Sequence, residues 1–147
     1  MDIMHFVFFY VIGYILAVII HELGHLSAAR LANLPVPEFS IGWGPVIFKY
    51  HILTIRLLPF CGFCQIVDED FKLSSISKER GGIVLAGGIV FNLIVAVLTI
   101  ILTFTIVEIP LFLLVFISVN FTLAILNSLP VIKSNDGWKI KNYWEGE

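Results

Sequence analysis

The chain has 147 residues, 59% of them hydrophobic and 14% charged, with a net charge of -2. Soluble domains carry about a quarter charged residues, so this composition excludes an ordinary water-soluble globule and makes membrane the default class. The slightly acidic balance excludes a basic nucleic-acid surface, and two cysteines, Cys61 and Cys64, are too few for a disulfide framework.

Residues 3–20 contain no Asp, Glu, Lys or Arg, a run of 18 positions. About 18 is the shortest apolar run that crosses a bilayer core. The run lacks a basic start and a small-residue cleavage site, so it reads as a retained span rather than a secretory signal. The first helix is expected over about residues 5–32, ending where Pro35 and Pro37 break it. Residues 34–80 change character. "EFSIGWGPVIFKYHILTIRLLPFCGFCQIV" is rich in β-branched and aromatic residues and punctuated by Gly and Pro, which predicts a short hairpin. The second span is expected over about 81–107, with Gly82, Ala86, Gly87 and Gly88 allowing close helix approach. Glu108 and Pro110 form a tight turn, and a third span runs over about 110–129 before Pro130. The predicted fold is therefore an all-α polytopic membrane protein. It has three core transmembrane helices and a membrane-associated β-hairpin between the first and second, within a single membrane-embedded domain over 1–147. There is no fixed-period repeat, no low-complexity tract and no room for an appended soluble domain.

All nine Lys and Arg lie either between spans one and two or after span three. The positive-inside rule then places the amino terminus outside, and the long loop and the carboxyl terminus in the cytosol. The cytosolic end of span one carries His21-Glu22-Leu23-Gly24-His25.

Two histidines four apart share a helix face, so His21 and His25 can aim at one ion. Glu22 flanks that site as a general base toward a zinc-activated water. A chance match, or two histidines satisfied by helix packing, is the bland alternative; the expense of ionisable groups within a span weighs against it. A catalytic zinc needs a third protein ligand and one open position. Glu108 falls on the wrong side of the membrane. Asp68, Glu69 and Asp70 read as a solvated charged turn. Asp136, just past span three, remains. Its spacing leaves two readings open, a third ligand or simply the N-cap of a following helix.

With these residues in view, the sequence resembles the site-2 protease family of intramembrane zinc metalloproteases, as a minimal-core member. His21 to His25 match the family's zinc helix, and "FSIGWGP" looks like the glycine-rich turn after it. "LLPFCGFCQI" is similar to the family's Pro-Phe-Gly-Gly-Tyr loop, with Cys61 where Gly is usual. "GGIVFN" resembles the Gly-Pro-x-x-Asn motif, with Ile89 for Pro. "NSLPVIKSNDG" is like the Asn-x-x-Pro…Asp-Gly segment, one residue longer and followed by Trp138 instead of a second Gly. The resemblance implies a Zn2+ cofactor held by His21, His25 and Asp136, with Glu22 as catalytic base. It also implies that Asn127, with Asn92, contacts the substrate backbone or steadies the oxyanion. A packing hydrogen bond between helices is the plainer account of Asn92.

The implied function is zinc-dependent endoproteolysis of a membrane-bound or short hydrophobic peptide. The implied partners are that peptide and the lipid bilayer, with no nucleic acid; separately, three spans make a thin shell around a polar site, which leaves room for a second copy or a membrane partner. The alternatives are an inactive relative that grips membrane peptides and a membrane protein that carries metal. Cys61-Gly62-Phe63-Cys64 lacks the strand-to-helix context of a redox pair and reads as small apolar loop residues. Trp138, Tyr143 and Trp144, with Lys139 and Lys141, read as an interfacial anchor.

Overall fold

The computed structural model describes residues 2–66, 76–133 and 135–145. Chain order is α1 (Ile3–Leu31), β1 (Glu38–Tyr50), β2 (Leu53–Gln65), α2 (Lys78–Thr103), α3 (Leu111–Ser128) and α4 (Asp136–Glu145). The acidic cluster Asp68, Glu69 and Asp70, read from sequence as a solvated turn, lies outside the described residues.

Helices α1, α2 and α3 are long and apolar enough to cross a membrane. Large apolar side chains such as Phe8, Val97, Leu98, Leu114 and Ile125 point outward and are exposed. Apolar surface of that extent marks contact with a membrane or a partner. The expected polytopic helical fold, with its hairpin between the first two spans, is the fold found.

Helix α1 has 29 residues, so it is about 43 Å long at 1.5 Å per residue. His21 sits about 27 Å from its start, near the far edge of a hydrocarbon layer roughly 30 Å thick. The helix ends in a Schellman motif. The Leu34 amide donates to the Ala29 carbonyl and the Asn33 amide to the Arg30 carbonyl, with Asn33 left-handed at φ 52°. The Arg80 guanidinium donates to the Ala32 carbonyl, placing a cation at the negative end of the helix dipole.

Helices α1 and α2 meet through glycines. A Cβ on Gly87 would lie 2.6 Å from the Gly24 carbonyl oxygen, and one on Gly24 would run into the Gly87 carbonyl. Ala28, Ala29 and Val84 extend this contact, while Ala17 packs on Val115 and Val119 of α3. Helix α2 stops at Thr103, short of the expected Val107. The Thr103 hydroxyl donates to the Ile100 carbonyl and that of Thr105 to Leu102. Successive amides also turn back three residues, closing the helix in a tighter turn.

The hairpin is bent twice. Phe39, Ser40 and Ile41 pair with Cys64, Phe63 and Gly62 on one side, and with Leu53, Thr54 and Ile55 on the other. Segment 39–41 is therefore internal, and segment 62–64 flanks it on the outside. The bend needs Gly42, at φ 96°, where a Cβ would meet the Arg56 and Leu58 carbonyls at 2.8 and 2.9 Å. "FSIGWGP" is thus a kink inside β1 rather than a turn between elements. The chain reverses instead at His51 and Ile52, with His51 left-handed at φ 50°.

Candidate metal centre

Three acceptors converge where α1 passes α2 and α4. Asp136 Oδ2 lies 2.8 Å from His21 Nε2 and 3.1 Å from His25 Nε2, and the two imidazole nitrogens are 3.3 Å apart. All three residues are buried.

The second ring nitrogens fix which atoms carry lone pairs. His25 Nδ1 donates to the Val84 carbonyl at 2.8 Å. His21 Nδ1 lies 3.2 Å from Asn92 Oδ1, and the Asn92 amide donates to the Ala17 carbonyl at 3.3 Å. Because Ala17 O accepts only, the Asn92 oxygen must face His21, whose Nδ1 then donates. In neutral imidazoles so arranged, both Nε2 atoms offer lone pairs toward Asp136. Only with protons on Nε2 would the two imidazoles outweigh the burial that raises the Asp136 carboxyl and hold it well below the usual carboxylate range.

Three lone pairs with no hydrogen between them call for a cation. Tetrahedral zinc with bonds of about 2.0–2.1 Å sets its donors about 3.3 Å apart, close to the separations seen. Two nitrogens and one oxygen also match the donor set of a catalytic rather than a structural zinc. The residues fit the ion.

The surroundings hold this geometry. Gly88 of α2 faces both imidazoles, and a Cβ there would lie 2.6 Å from Nε2 of each. Asp136 opens α4 but does not cap it. The N-cap is Asn135, whose Oδ1 accepts from the Trp138 amide at 2.9 Å. The Asn135 amide group donates to the Leu126 and Leu129 carbonyls at 2.8 and 2.7 Å. It thereby fastens the start of α4 to the end of α3. Gly137 completes the joint, since a Cβ there would collide with the Ser128 carbonyl. With capping done by its neighbour, the Asp136 carboxylate is free to turn inward. Asn135 is the residue that sequence reading missed. Its signal was present, an Asn three residues before a helical amide, but adjacent Asn and Asp cap equally well.

Glu22 is buried under β2. A Cβ on Gly62 would lie 2.7 Å from Glu22 Cγ, so only glycine lets the strand cross there. Two clefts open on Glu22. One, about 220 Å³, is lined by His21, Tyr14, Cys61, Asn127 and Lys139 among others. The other, about 280 Å³, is lined by His25, Phe63, Cys64, Leu85 and Lys139 among others.

A family model described as peptidase family M50 matches residues 8–111. The chain belongs to peptidase family M50. A zinc metalloprotease RasP of Geobacillus kaustophilus is 42% identical over 71 residues, covering 46% of this chain and 16% of that relative. The regulator of sigma-W protease RasP of Bacillus subtilis is 43% identical over 63 residues, 40% of this chain and 15% of its own. The chain thus matches about a sixth of the length of these relatives. The M50 match takes in the His-Glu segment, the hairpin and α2; Asp136 lies beyond it.

The remaining sequence-singled residues divide. Asn127 lines the first cleft, with its amide donating to the Leu123 carbonyl of its own helix at 3.0 Å. Asn92 is fully buried behind His21 and lines neither cleft. Glu108 lies in the α2–α3 connection, away from the donors. Cys61 and Cys64 are free thiols on one strand, three residues apart and so on opposite faces. Burial and the nearby Glu22 push the Cys64 thiol up to about 12. The aromatic end of α4 docks on α2: the Tyr143 hydroxyl donates to the Ile76 carbonyl at 2.7 Å, and Lys78 to the Trp144 carbonyl at 2.8 Å. Lys139, read from sequence as part of an anchor, lines both clefts instead.

Proposed function

We propose that the chain is the catalytic unit of a zinc-dependent intramembrane endopeptidase. The observation that carries this is the convergence of three buried acceptors beside a buried carboxylate, Glu22, at the end of a membrane-length helix. M50 membership and the zinc metalloprotease names of the relatives support it.

His21, His25 and Asp136 would hold the ion. When bound, zinc lowers the pKa of a water to about 7 and polarises a carbonyl oxygen. Glu22 takes one proton from the attacking water. The water oxygen adds to the scissile carbonyl carbon, the C–N bond breaks, and Glu22 returns the proton to the leaving nitrogen. Asn92 acts as a positioning residue, holding the His21 ring through Nδ1, as outer partners of metal-bound histidines do. Asn127 faces the cleft and contacts the substrate backbone.

The substrate is a membrane-bound or short hydrophobic peptide, since the clefts lie at the depth where α1 leaves the hydrocarbon. A helical substrate hides its carbonyls and must be unwound first. Segment 62–64 has a partner on one side only among the described residues and runs past Glu22. It offers an edge to which an extended peptide adds as a strand. The charge distribution supports an external amino terminus and a cytosol-facing site.

The test is cleavage of a fusion carrying one transmembrane segment, by the purified chain in detergent or liposomes. Zinc-loaded protein is expected to cut it, and removal of zinc with 1,10-phenanthroline to stop cleavage, with recovery on re-addition. Intact fusion under all conditions would refute the reading. Phe63→Pro, on the free edge, is expected to slow turnover at least about tenfold with zinc content unchanged. Equal turnover would remove the edge from the mechanism.

A further inference from the structure

Three residues are common to both clefts: Glu22, Gly62 and Lys139. Glu22 and Gly62 form the divide, packed so closely that no side chain fits at position 62. A peptide running from one cleft into the other must cross that divide. Its reacting carbonyl then lies beside Glu22, with Lys139 on the same ridge.

Lys139 is one turn after Asp136 on α4, so both project from one helix face. Its Nζ is 3.4 Å from Asp136 Oδ1, whereas the imidazoles meet Oδ2. The ammonium is therefore held one carboxylate's width from the convergence point. It is the only Lys or Arg among the described residues lining either cleft. A lysine carries three N–H donors, and Asp136 engages one. The other polar groups facing the first cleft are more committed. The Tyr14 hydroxyl donates to the Phe60 carbonyl at 3.1 Å, and the Asn127 amide is bonded within its own helix. The Lys139 side chain is 47% exposed, against 6% for Asp136, so its free donors reach the cleft.

We infer that Lys139 is a further catalytic residue, its ammonium donating to the carbonyl oxygen of the scissile bond as negative charge gathers there. This rests on the peptidase reading. No atom changes owner in this step. Lys139 keeps its proton and contributes a hydrogen bond that strengthens from ground state to transition state, while Glu22 moves the proton. Preorganised donors of this kind act where charge develops and need no reorganisation in the reaction.

The rival role is ground-state neutralisation of Asp136, which would act on metal affinity alone. The experiment uses the zinc-loaded full chain and two measurements. One is kcat/KM on the transmembrane fusion. The other is calorimetric binding of a Leu-flanked phosphinic peptide, whose tetrahedral phosphinate stands for the reacting centre. Lys139→Met is expected to lower both by about 100-fold, the cost of losing one oxyanion donor. KM and zinc content should change little, and Lys139→Arg should restore part of the loss.

Unchanged phosphinate affinity and turnover in Lys139→Met would overturn the inference. So would a defect explained entirely by lost zinc, which would assign Lys139 to Asp136. If the Met variant does not fold, Lys139→Leu, which also lacks a donor, is measured in its place, against the same expectations. A wild-type chain that neither cleaves the fusion nor binds the phosphinate fails the peptidase reading, and the role of Lys139 falls with it. A wild-type chain that does both, matched by Lys139→Met, refutes Lys139 alone.

Discussion

Glu22→Gln is expected to lower turnover of a transmembrane fusion by a factor of about 100 to 10,000, the usual worth of a general base. The substitution keeps the shape and removes the proton acceptor. The side chain remains under Gly62, where space is set by the strand crossing over Glu22 Cγ. Because Glu22 is not among the three converging acceptors, zinc content should be unchanged. Separating the two readouts gives the test its force. A variant that holds zinc and does not cut makes Glu22 the base. A variant that cuts at the wild-type rate removes Glu22 from the proton transfer, whereas a wild-type chain that does not cut would put a peptide-binding or metal-carrying role in place of the hydrolase.

Asp136→Asn should have the largest effect on the metal itself. The amide is nearly isosteric but neutral, and its nitrogen has no lone pair to offer. Outer-sphere partners of zinc ligands already cost about 10- to 100-fold in affinity when removed. Loss of one of three direct donors should exceed that, to more than about 100-fold. Competition against a chromogenic zinc chelator measures it. Helix α4 should survive, because its cap is Asn135 and its aromatic end is fastened to α2. Far-UV circular dichroism should therefore stay as in wild type while zinc is lost. Wild-type zinc affinity in this variant would exclude Asp136 as a ligand and leave it as the partner of Lys139.

The parts of this molecule legible in the sequence are those governed by short-range periodicity. Three spans were readable because lipid demands long uncharged runs, and His21 with His25 because one helical turn fixes their common face. The end of α2 was overestimated because hydropathy does not register hydroxyls of Thr103 and Thr105 folding back on the last carbonyls. The double bend of the hairpin depends on a left-handed Gly42 inside a run that otherwise reads as continuous strand. Asn92 was recognisable as a costly amide in a span. Whether it met substrate or His21 turned on which face of α2 met α1, and the Gly24–Gly87 approach decides that. The placement of Asp136 likewise depends on a joint between α3 and α4 built by Asn135, with no periodic signature.

The three grouped donors are far apart in sequence, two on α1 and one on α4. During synthesis the paired imidazoles therefore enter the bilayer long before the carboxylate that meets them in the folded chain has left the ribosome. If the three hold zinc as proposed, a nascent chain binds it weakly and does not hydrolyse, and its neighbours in the insertion machinery are safe from it until α4 seats.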